Sequence, residues 1–134
     1  MQQPHAILAQ DHASAWMSIA VQELSEGKAV ITMRLREEML NGFGIAHGGM
    51  IFAFADTAFA LACNPAEGRD DAVTVAAGAD ISFISSGKAG EELTATATVR
   101  EQFGRSGLYD ITVTGEDGRT IAEFRGRSRT IPRR

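Results

Sequence analysis

One carboxylate lies in the middle of a strongly apolar segment, and its position makes it a candidate for chemistry. Between Met50 and Cys63 every residue is apolar except Asp56 and Thr57. Such a segment is expected to be buried, and a buried carboxylate is costly unless a partner or a reaction uses it. This group could act as a general base or as a nucleophile. The alternative is a structural aspartate that is hydrogen-bonded to neighbouring backbone.

The same segment opens with His47-Gly48-Gly49, which suits the start of a helix. The first four N–H groups of a helix have no partner within it, and glycine allows close approach because it has no Cβ. With the positive end of the helix dipole behind it, the Gly48 N–H is a candidate donor to a developing oxyanion. Alternatively, the two glycines only bend the chain into the helix.

A single helix does not bring these two groups together. Asp56 follows Gly49 by seven residues, which is about 10 Å along a helix axis. Asp56 is therefore too distant to act on a carbonyl held at Gly48 of its own chain. A second subunit with an antiparallel helix would set its Asp56 opposite the first chain's Gly48. The spacing predicts a composite site between two subunits.

The elements that must position these residues follow from hydrophobic periodicity. Residues 48–64 form a long apolar helix that ends at Pro65, and residues 1–15 form an N-terminal segment with a short helix. A single domain, 16–134, follows that segment. Alternating apolar residues predict two strands before the long helix and four after it, at 16–24, 29–36, 72–85, 92–100, 108–114 and 120–130.

The predicted sheet covers only part of the long helix, which is apolar on nearly all sides. A helix of this kind belongs in a core. The apolar surface that one sheet leaves uncovered indicates self-association. The alternative is that the N-terminal helix covers it.

Composition excludes several classes of protein. The 134 residues fit one domain, no apolar run is long enough for a membrane span, and the N-terminus does not resemble a signal peptide. A single cysteine, Cys63, is expected to be a packed thiol, and together these features favour the cytoplasm. The net charge of −4 argues against nucleic-acid binding, although residues 105–134 hold seven of the thirteen basic residues. Neither a metal-ligand spacing nor a nucleotide fingerprint is present, so we expect no metal and no cofactor.

The segment from Asn41 to Asn64, NGFGIAHGGMIFAFADTAFALACN, resembles the hotdog-fold thioesterases of the phenylacetic-acid-degradation (PaaI) type. His-Gly-Gly, the later aspartate and the final Ala-Cys-Asn together make this resemblance specific. It implies an α+β hotdog fold, in which a curved antiparallel sheet of five to six strands wraps a long central helix. It also implies hydrolysis of acyl-CoA, such as phenylacetyl-CoA or hydroxyphenylacetyl-CoA, by a homodimer or homotetramer with sites at subunit interfaces.

The resemblance also implies roles for four residues. Asp56 matches the catalytic carboxylate, and Gly48 matches the residue whose N–H polarises the thioester carbonyl. His47 and Asn41 match residues around that carbonyl and the catalytic water. We expect His47 to support the site rather than act as the base. Asn41 precedes a glycine and is equally a turn signal.

An acyl-CoA substrate requires an apolar pocket and basic groups at the surface. Phenylalanines near the motif, including Phe52 and Phe54, suit either an acyl pocket or the core. Arg125, Arg127 and Arg129 alternate on one strand face, which suits either an anionic ligand or solvent. The predicted substrate contacts are Gly49, Phe43, Phe59, Phe83, Ser85, Lys88 and Arg105. Two other functions stay open, a hotdog hydratase or dehydratase of enoyl thioesters and a non-catalytic acyl-CoA-binding module.

Overall fold

The structure is a computed structural model, and it describes residues 4–133 of the chain. Two α-helices are present, α1 (His12–Trp16) and α2 (Gly48–Cys63), and two short 3-10 helices lie at Ala6–Gln10 and Glu37–Met39. None of the helices in this part of the chain has the length and hydropathy needed to cross a bilayer. The strands are β1 (Ala20–Ser25), β2 (Lys28–Arg34), β3 (Ala72–Phe83), β4 (Glu92–Phe103), β5 (Ser106–Thr114) and β6 (Thr120–Pro132).

The six strands form one antiparallel sheet in the order β1-β2-β4-β5-β6-β3. Four of the five strand pairs contain a register shift, and such bulges bend strands and increase their twist. Helix α2 lies across the concave face. After β2 the chain forms α2 and then β3, which lies at the edge of the sheet opposite β1. Strands β1 and β3 are therefore the two edge strands. The predicted α+β hotdog architecture, with one central helix and a six-stranded sheet, is confirmed.

The core lies between α2 and the sheet. On β2 the alternating residues Ala29, Ile31 and Met33 are buried, as the sequence pattern predicts. On α2, Phe54 and Phe59 are fully buried, and the Phe59 ring packs beside Tyr109 and Phe124 of the sheet. A Cβ on Gly126 would lie 2.6 Å from Cε2 of Phe59, so glycine at this position of β6 makes room for the ring.

The prediction that the first strand begins at residue 16 is wrong. Trp16 ends α1, and the first strand begins at Ala20. The Asp11 carboxylate accepts a hydrogen bond from the Ser14 N–H and thereby caps α1. Ser18 has a φ of 54°, which turns the chain out of the helix before the strand begins.

Alternation in the sequence predicts one inward face along β3 and puts Leu93, Ala95, Ala97 and Val99 on the inward face of β4. Val99 does face inward, since it pairs with the buried Tyr109 before the register shifts, but it is 42% exposed because it lines an open cavity beyond the end of α2. A second shift between Ala76 and Gly78 interrupts the single face predicted for β3. Strand β3 lies at the edge of the sheet, and Val75 in it is exposed.

The N-terminal segment packs against the C-terminal half of α2. The buried His5 ring places Nε2 3.2 Å from the Leu61 carbonyl oxygen and 3.0 Å from that of Asn64, at the end of α2. The Ser14 hydroxyl lies 2.9 Å from that of Thr57 in the middle of the helix. This segment therefore covers one side of α2 and leaves another side open.

Candidate active site

A cavity of about 300 Å³ lies at the start of α2 and brings several predicted site residues together. Asn41, Gly48, Phe83 and Ser85 all line it. We call this the helix-start cavity. Its lining residues are Asn41, Ile45, Ala46, Gly48, Ile51, Phe83, Ile84, Ser85 and Ser86.

The first two amides of α2 differ in their hydrogen bonding. The His47 side chain caps the helix, and its Nδ1 accepts the Gly49 N–H at 2.9 Å. Accepting at Nδ1 requires a ring that carries its proton on Nε2 when it is neutral. The Gly48 N–H finds no acceptor among residues 4–133. Gly48 therefore offers a free donor at the cavity, whereas the N–H of Gly49, a predicted substrate contact, is already used.

The loop before α2 is held by Asn41. The Asn41 side-chain oxygen accepts the N–H of Phe43 at 2.9 Å and that of Ile45 at 3.4 Å. The backbone of Asn41 also pairs with Ile45 and with Gly44. Asn41 thus shapes the loop through its side-chain oxygen and also lines the cavity.

Asp56 lies away from this cavity in the same chain. It follows Gly48 by eight residues, which is about 12 Å along the helix. The carboxylate is half-buried and finds neither a hydrogen-bond donor nor a basic partner among residues 4–133. Burial, and then the negative charge of Asp11, raise the pKa of Asp56 above its ordinary value. The chain thus holds a carboxylate with raised proton affinity and no partner among the described residues.

Asp56 belongs to a side of α2 that stays partly exposed in the part of the chain described. The residues on this side are spaced three or four apart, so they share one helix face. Phe52 on this face is 37% exposed, and its ring lies 5.2 Å from that of Phe124 in an edge-to-face arrangement. We call it the uncovered face, and it comprises Gly49, Phe52, Ala53, Asp56, Ala60 and Cys63.

Three predicted substrate contacts lie at or beside the helix-start cavity. The Phe83 ring lies 3.3 Å from the position that a Cβ on Gly48 would occupy. The Ser85 hydroxyl donates to the carbonyl oxygen of Thr120 at 2.6 Å, so this hydroxyl is engaged in holding the loop. Lys88 forms a backbone bridge with Ile45 and keeps its side chain exposed near the cavity.

Three other predicted substrate contacts lie away from the helix-start cavity. The Phe59 ring packs in the core, 5.5 Å from that of Tyr109 and 6.0 Å from that of Phe124. Phe43 is 89% exposed at the loop tip. Arg105 lies in the β4–β5 turn beside Thr130, which is roughly 30 Å along β6 from the end near Ser85. Phe54, considered for the acyl pocket, is also in the core.

An ion-pair cluster supports the cavity wall, and sequence reasoning missed it. The Arg119 guanidinium contacts the Glu91 carboxylate at 2.7 Å and donates to the Ser86 carbonyl oxygen at 2.6 Å. Hydrogen bonding from Arg119 lowers the pKa of Glu91 to about 2. The two residues are 28 positions apart, so only the sheet register reveals the pair.

Glu91→Gln is expected to make the protein less sensitive to acid. A carboxylate with a lowered pKa contributes stability that is complete above its ordinary pKa of 4.5 and is lost as the pH falls towards about 2. Denaturant unfolding from about pH 5 to about pH 2.5 should show a smaller loss of stability in the variant. Glu67→Gln, at an exposed site, is the control. Equal acid sensitivity of native and Glu91→Gln proteins would contradict this role.

A larger open cavity of about 890 Å³ lies at the other end of α2, but its groups are not arranged for catalysis. His5, on its wall, is hydrogen-bonded to the helix end. Burial raises the pKa of the Cys63 thiol to about 12, so this thiol is protonated at neutral pH and is a poor nucleophile. Asn64 joins the helix end to β3 through hydrogen bonds with the N–H and carbonyl oxygen of Thr74.

Comparison with known proteins identifies the family. The family model described as "Thioesterase superfamily" matches residues 43–122, which include most of the loop before α2, α2 itself and most of the sheet. The chain belongs to the thioesterase superfamily. The acyl-coenzyme A thioesterase PaaI of Escherichia coli (strain K12) is 42% identical over 97% of this chain and 90% of that protein. As a member of this superfamily, the chain is a thioester hydrolase.

Solved structures of this superfamily agree with the fold. The structure of the E. coli PaaI protein from the phenylacetic acid degradation operon has a TM-score of 0.88 at 41% identity, over 94% of this chain and 88% of that one. The TT0310 protein of Thermus thermophilus has a TM-score of 0.81 at 32% identity, over 90% of this chain and 97% of that one. The sequence resemblance to PaaI-type thioesterases is thus confirmed.

Proposed function

We propose that this thioesterase hydrolyses acyl-CoA at composite sites between two antiparallel protomers. The observation that carries the proposal is the free Gly48 N–H at the helix-start cavity, together with a carboxylate about 12 Å away along the same helix. Asp56 lies on the uncovered face, where the α2 of a second protomer would pack. Each site then combines Gly48 of one protomer with Asp56 of the other.

Each group has a defined task in this site. The thioester carbonyl oxygen accepts the Gly48 N–H, and the dipole of α2 stabilises the charge that develops on it. Asn41 and His47 contact the carbonyl or the attacking water from the same side of the cavity. Asp56 of the partner subunit removes a proton from water or attacks the carbonyl carbon itself. The thiolate of CoA leaves without needing a dedicated acid.

The two roles of Asp56 are separated by isotope labelling. A single turnover in ¹⁸O-labelled water, followed by mass spectrometry of the protein, shows whether the carboxylate takes up oxygen. Label in Asp56 contradicts the general-base mechanism, because water acting under base catalysis attacks only the acyl carbon. Absence of label from the enzyme, with label in the released acid, contradicts an anhydride that is opened at the aspartyl carbon.

We propose an aryl-acetyl group, such as phenylacetyl or hydroxyphenylacetyl, as the acyl group. The helix-start cavity presents Ile45, Ile51, Phe83 and Ile84 to such a group. The similar E. coli protein comes from the phenylacetic acid degradation operon. Lys88 beside the cavity supplies a positive charge for the anionic CoA portion.

Homodimers, or homotetramers built from two dimers, follow from the composite site. The uncovered face and the exposed edge strand β3 supply the surface for that assembly. We propose the cytoplasm as the place of action, since the chain has a single cysteine, which suits a reducing compartment.

Free-thiol release from a panel of acyl-CoAs tests the proposed substrates. The panel contains phenylacetyl-, hydroxyphenylacetyl-, acetyl- and palmitoyl-CoA, with Asp56→Asn protein as the control. We expect the highest kcat/KM for the two aryl-acetyl thioesters. Preference for palmitoyl-CoA would overturn the proposed acyl group, and tight binding without turnover would favour a binding module. Water addition to crotonyl-CoA would favour the hydratase function.

A further inference from the structure

A chain of buried polar groups connects the N-terminal segment to the helix residue that follows Asp56. The Asp11 carboxylate accepts the Ser14 N–H at 2.9 Å and the Ser14 hydroxyl at 2.7 Å. The Ser14 hydroxyl lies 2.9 Å from that of Thr57. Ser14 is 3% exposed and Thr57 is 9% exposed, so this connection is shielded from water. It fixes the position of the Asp11 carboxylate relative to the middle of α2.

The charges around Asp56 make this connection significant. From the N-terminal segment, Asp11 acts on Asp56 and raises its pKa further after the larger effect of burial. On the same helix, Cys63 is a protonated thiol at neutral pH. The strands that pack on α2 contribute no charge that acts on Asp56 among residues 4–133. Among the described residues, Asp11 is thus the charged group that acts on Asp56.

We propose that Asp11 is a positioning residue of the thioesterase site, which holds a second negative charge beside Asp56 through the buried Ser14–Thr57 connection. This inference rests on the proposed catalytic role of Asp56. A general base works best when its proton affinity suits the working pH, and an unperturbed aspartate is too weak a base for that purpose at neutral pH. A fixed carboxylate neighbour increases that affinity.

The test is the pH dependence of kcat/KM for Asp11→Asn. Asparagine also caps helices, so the variant removes the charge and keeps a capping oxygen. Asp56 acts in its ionised form, and removal of a negative neighbour makes ionisation easier. The acidic limb of the profile should therefore move to lower pH, by roughly half a unit or more. An acidic limb at the same pH in Asp11→Asn and in the native enzyme would overturn the proposal.

Two further variants separate charge from packing. Ser14→Ala removes the hydroxyl connection that positions the Asp11 carboxylate but keeps its charge, so its limb should move in the same direction as that of Asp11→Asn and by less, while its thermal stability falls. Asp70→Asn removes an exposed carboxylate elsewhere and should leave the limb unmoved. Equal shifts in Asp11→Asn and Asp70→Asn would overturn the proposal, because net charge would then explain both.

Separate controls test whether the Asp11 variants fold and whether Asp56 is catalytic. Asp11→Ser supplies a second uncharged cap, and loss of the fold in both Asp11 variants, measured by circular dichroism, would overturn the proposal in favour of a structural cap. Full activity of Asp56→Asn would overturn the proposed function itself. An inactive Asp56→Asn enzyme with an unmoved limb in Asp11→Asn would overturn only the role of Asp11.

Discussion

Asp56→Asn is expected to lower kcat for acyl-CoA hydrolysis by about two to four orders of magnitude, the usual contribution of a general acid or base. Asparagine has nearly the same shape as aspartate but neither accepts the proton from water nor attacks a carbonyl. The carboxylate finds no hydrogen-bond donor among residues 4–133, so its replacement breaks no hydrogen bond in the described structure. Initial rates of thiol release measure the effect, and a native rate in folded Asp56→Asn would contradict the catalytic role.

The same variant is expected to be at least as stable as the native protein near neutral pH. Burial raises the pKa of Asp56, so folding disfavours the ionised form, and the charge costs stability at pH values above that pKa. A neutral side chain removes this cost, as is common when a catalytic group is replaced. Thermal unfolding at neutral pH checks the sign. A strongly destabilised Asp56→Asn protein would indicate a structural role for the carboxylate.

Mixing two inactive variants tests whether each site is shared between protomers. Gly48→Val directs a branched side chain at the Phe83 ring, which lies 3.3 Å from the Cβ position, and crowds the Gly48 N–H. A mixed dimer of Gly48→Val and Asp56→Asn chains contains one site with both native groups. Random reassociation should therefore restore about a quarter of native activity. A mixture that forms mixed dimers and stays inactive would place both groups of each site in one chain.

Phe59→Ala is expected to lower the free energy of unfolding by about 3–5 kcal/mol, as is typical when a buried phenylalanine is truncated. The ring is 1% exposed and packs beside Tyr109 and Phe124. Gly126 on β6 leaves space for this ring, with a Cβ position only 2.6 Å from it. Truncation would leave a cavity between α2 and the sheet that neighbouring side chains fill only in part.

Phe43→Ala is the matched control, because Phe43 is 89% exposed and an exposed substitution changes stability by about 0.5 kcal/mol or less. Denaturant unfolding of both variants is compared at one protein concentration, because the apparent stability of a protein that self-associates depends on its concentration. Native stability of Phe59→Ala, with a changed preference among acyl groups, would return Phe59 to the acyl pocket predicted from the sequence.

Local patterns in the sequence predicted most of the fold. The alternation in β2 and the long apolar run of α2 are local signals, and both gave the right element. The start of the first strand was missed because Asp11 caps a short helix before it. An aspartate three residues before Ser14 is a recognisable helix-start signal. The register shifts between Ala76 and Gly78 and between Val99 and Glu101 depend on strand pairing, which a single sequence does not reveal.

The candidate site was predictable only in part for the same reason. Gly48 at the helix start follows from local sequence, and its free N–H agrees with that prediction. Phe59 and Phe83 are both aromatic residues near the motif, but only the fold puts one in the core and the other at the cavity. Their positive charge predicts both Arg105 and Lys88 as substrate contacts, but the sheet register separates them.

The segment that follows β3 combines a fixed backbone with a variable surface. The N–H of Ile84, the hydroxyl of Ser85 and the carbonyl oxygen of Ser86 are all bonded to residues 119–121. The Ile84 side chain takes no part in these bonds and is 57% exposed. Substitution of the Ile84 side chain therefore leaves intact the hydrogen bonds that hold the wall of the helix-start cavity. Enzymes with different acyl preferences are expected to diverge here while they keep the same helix and sheet.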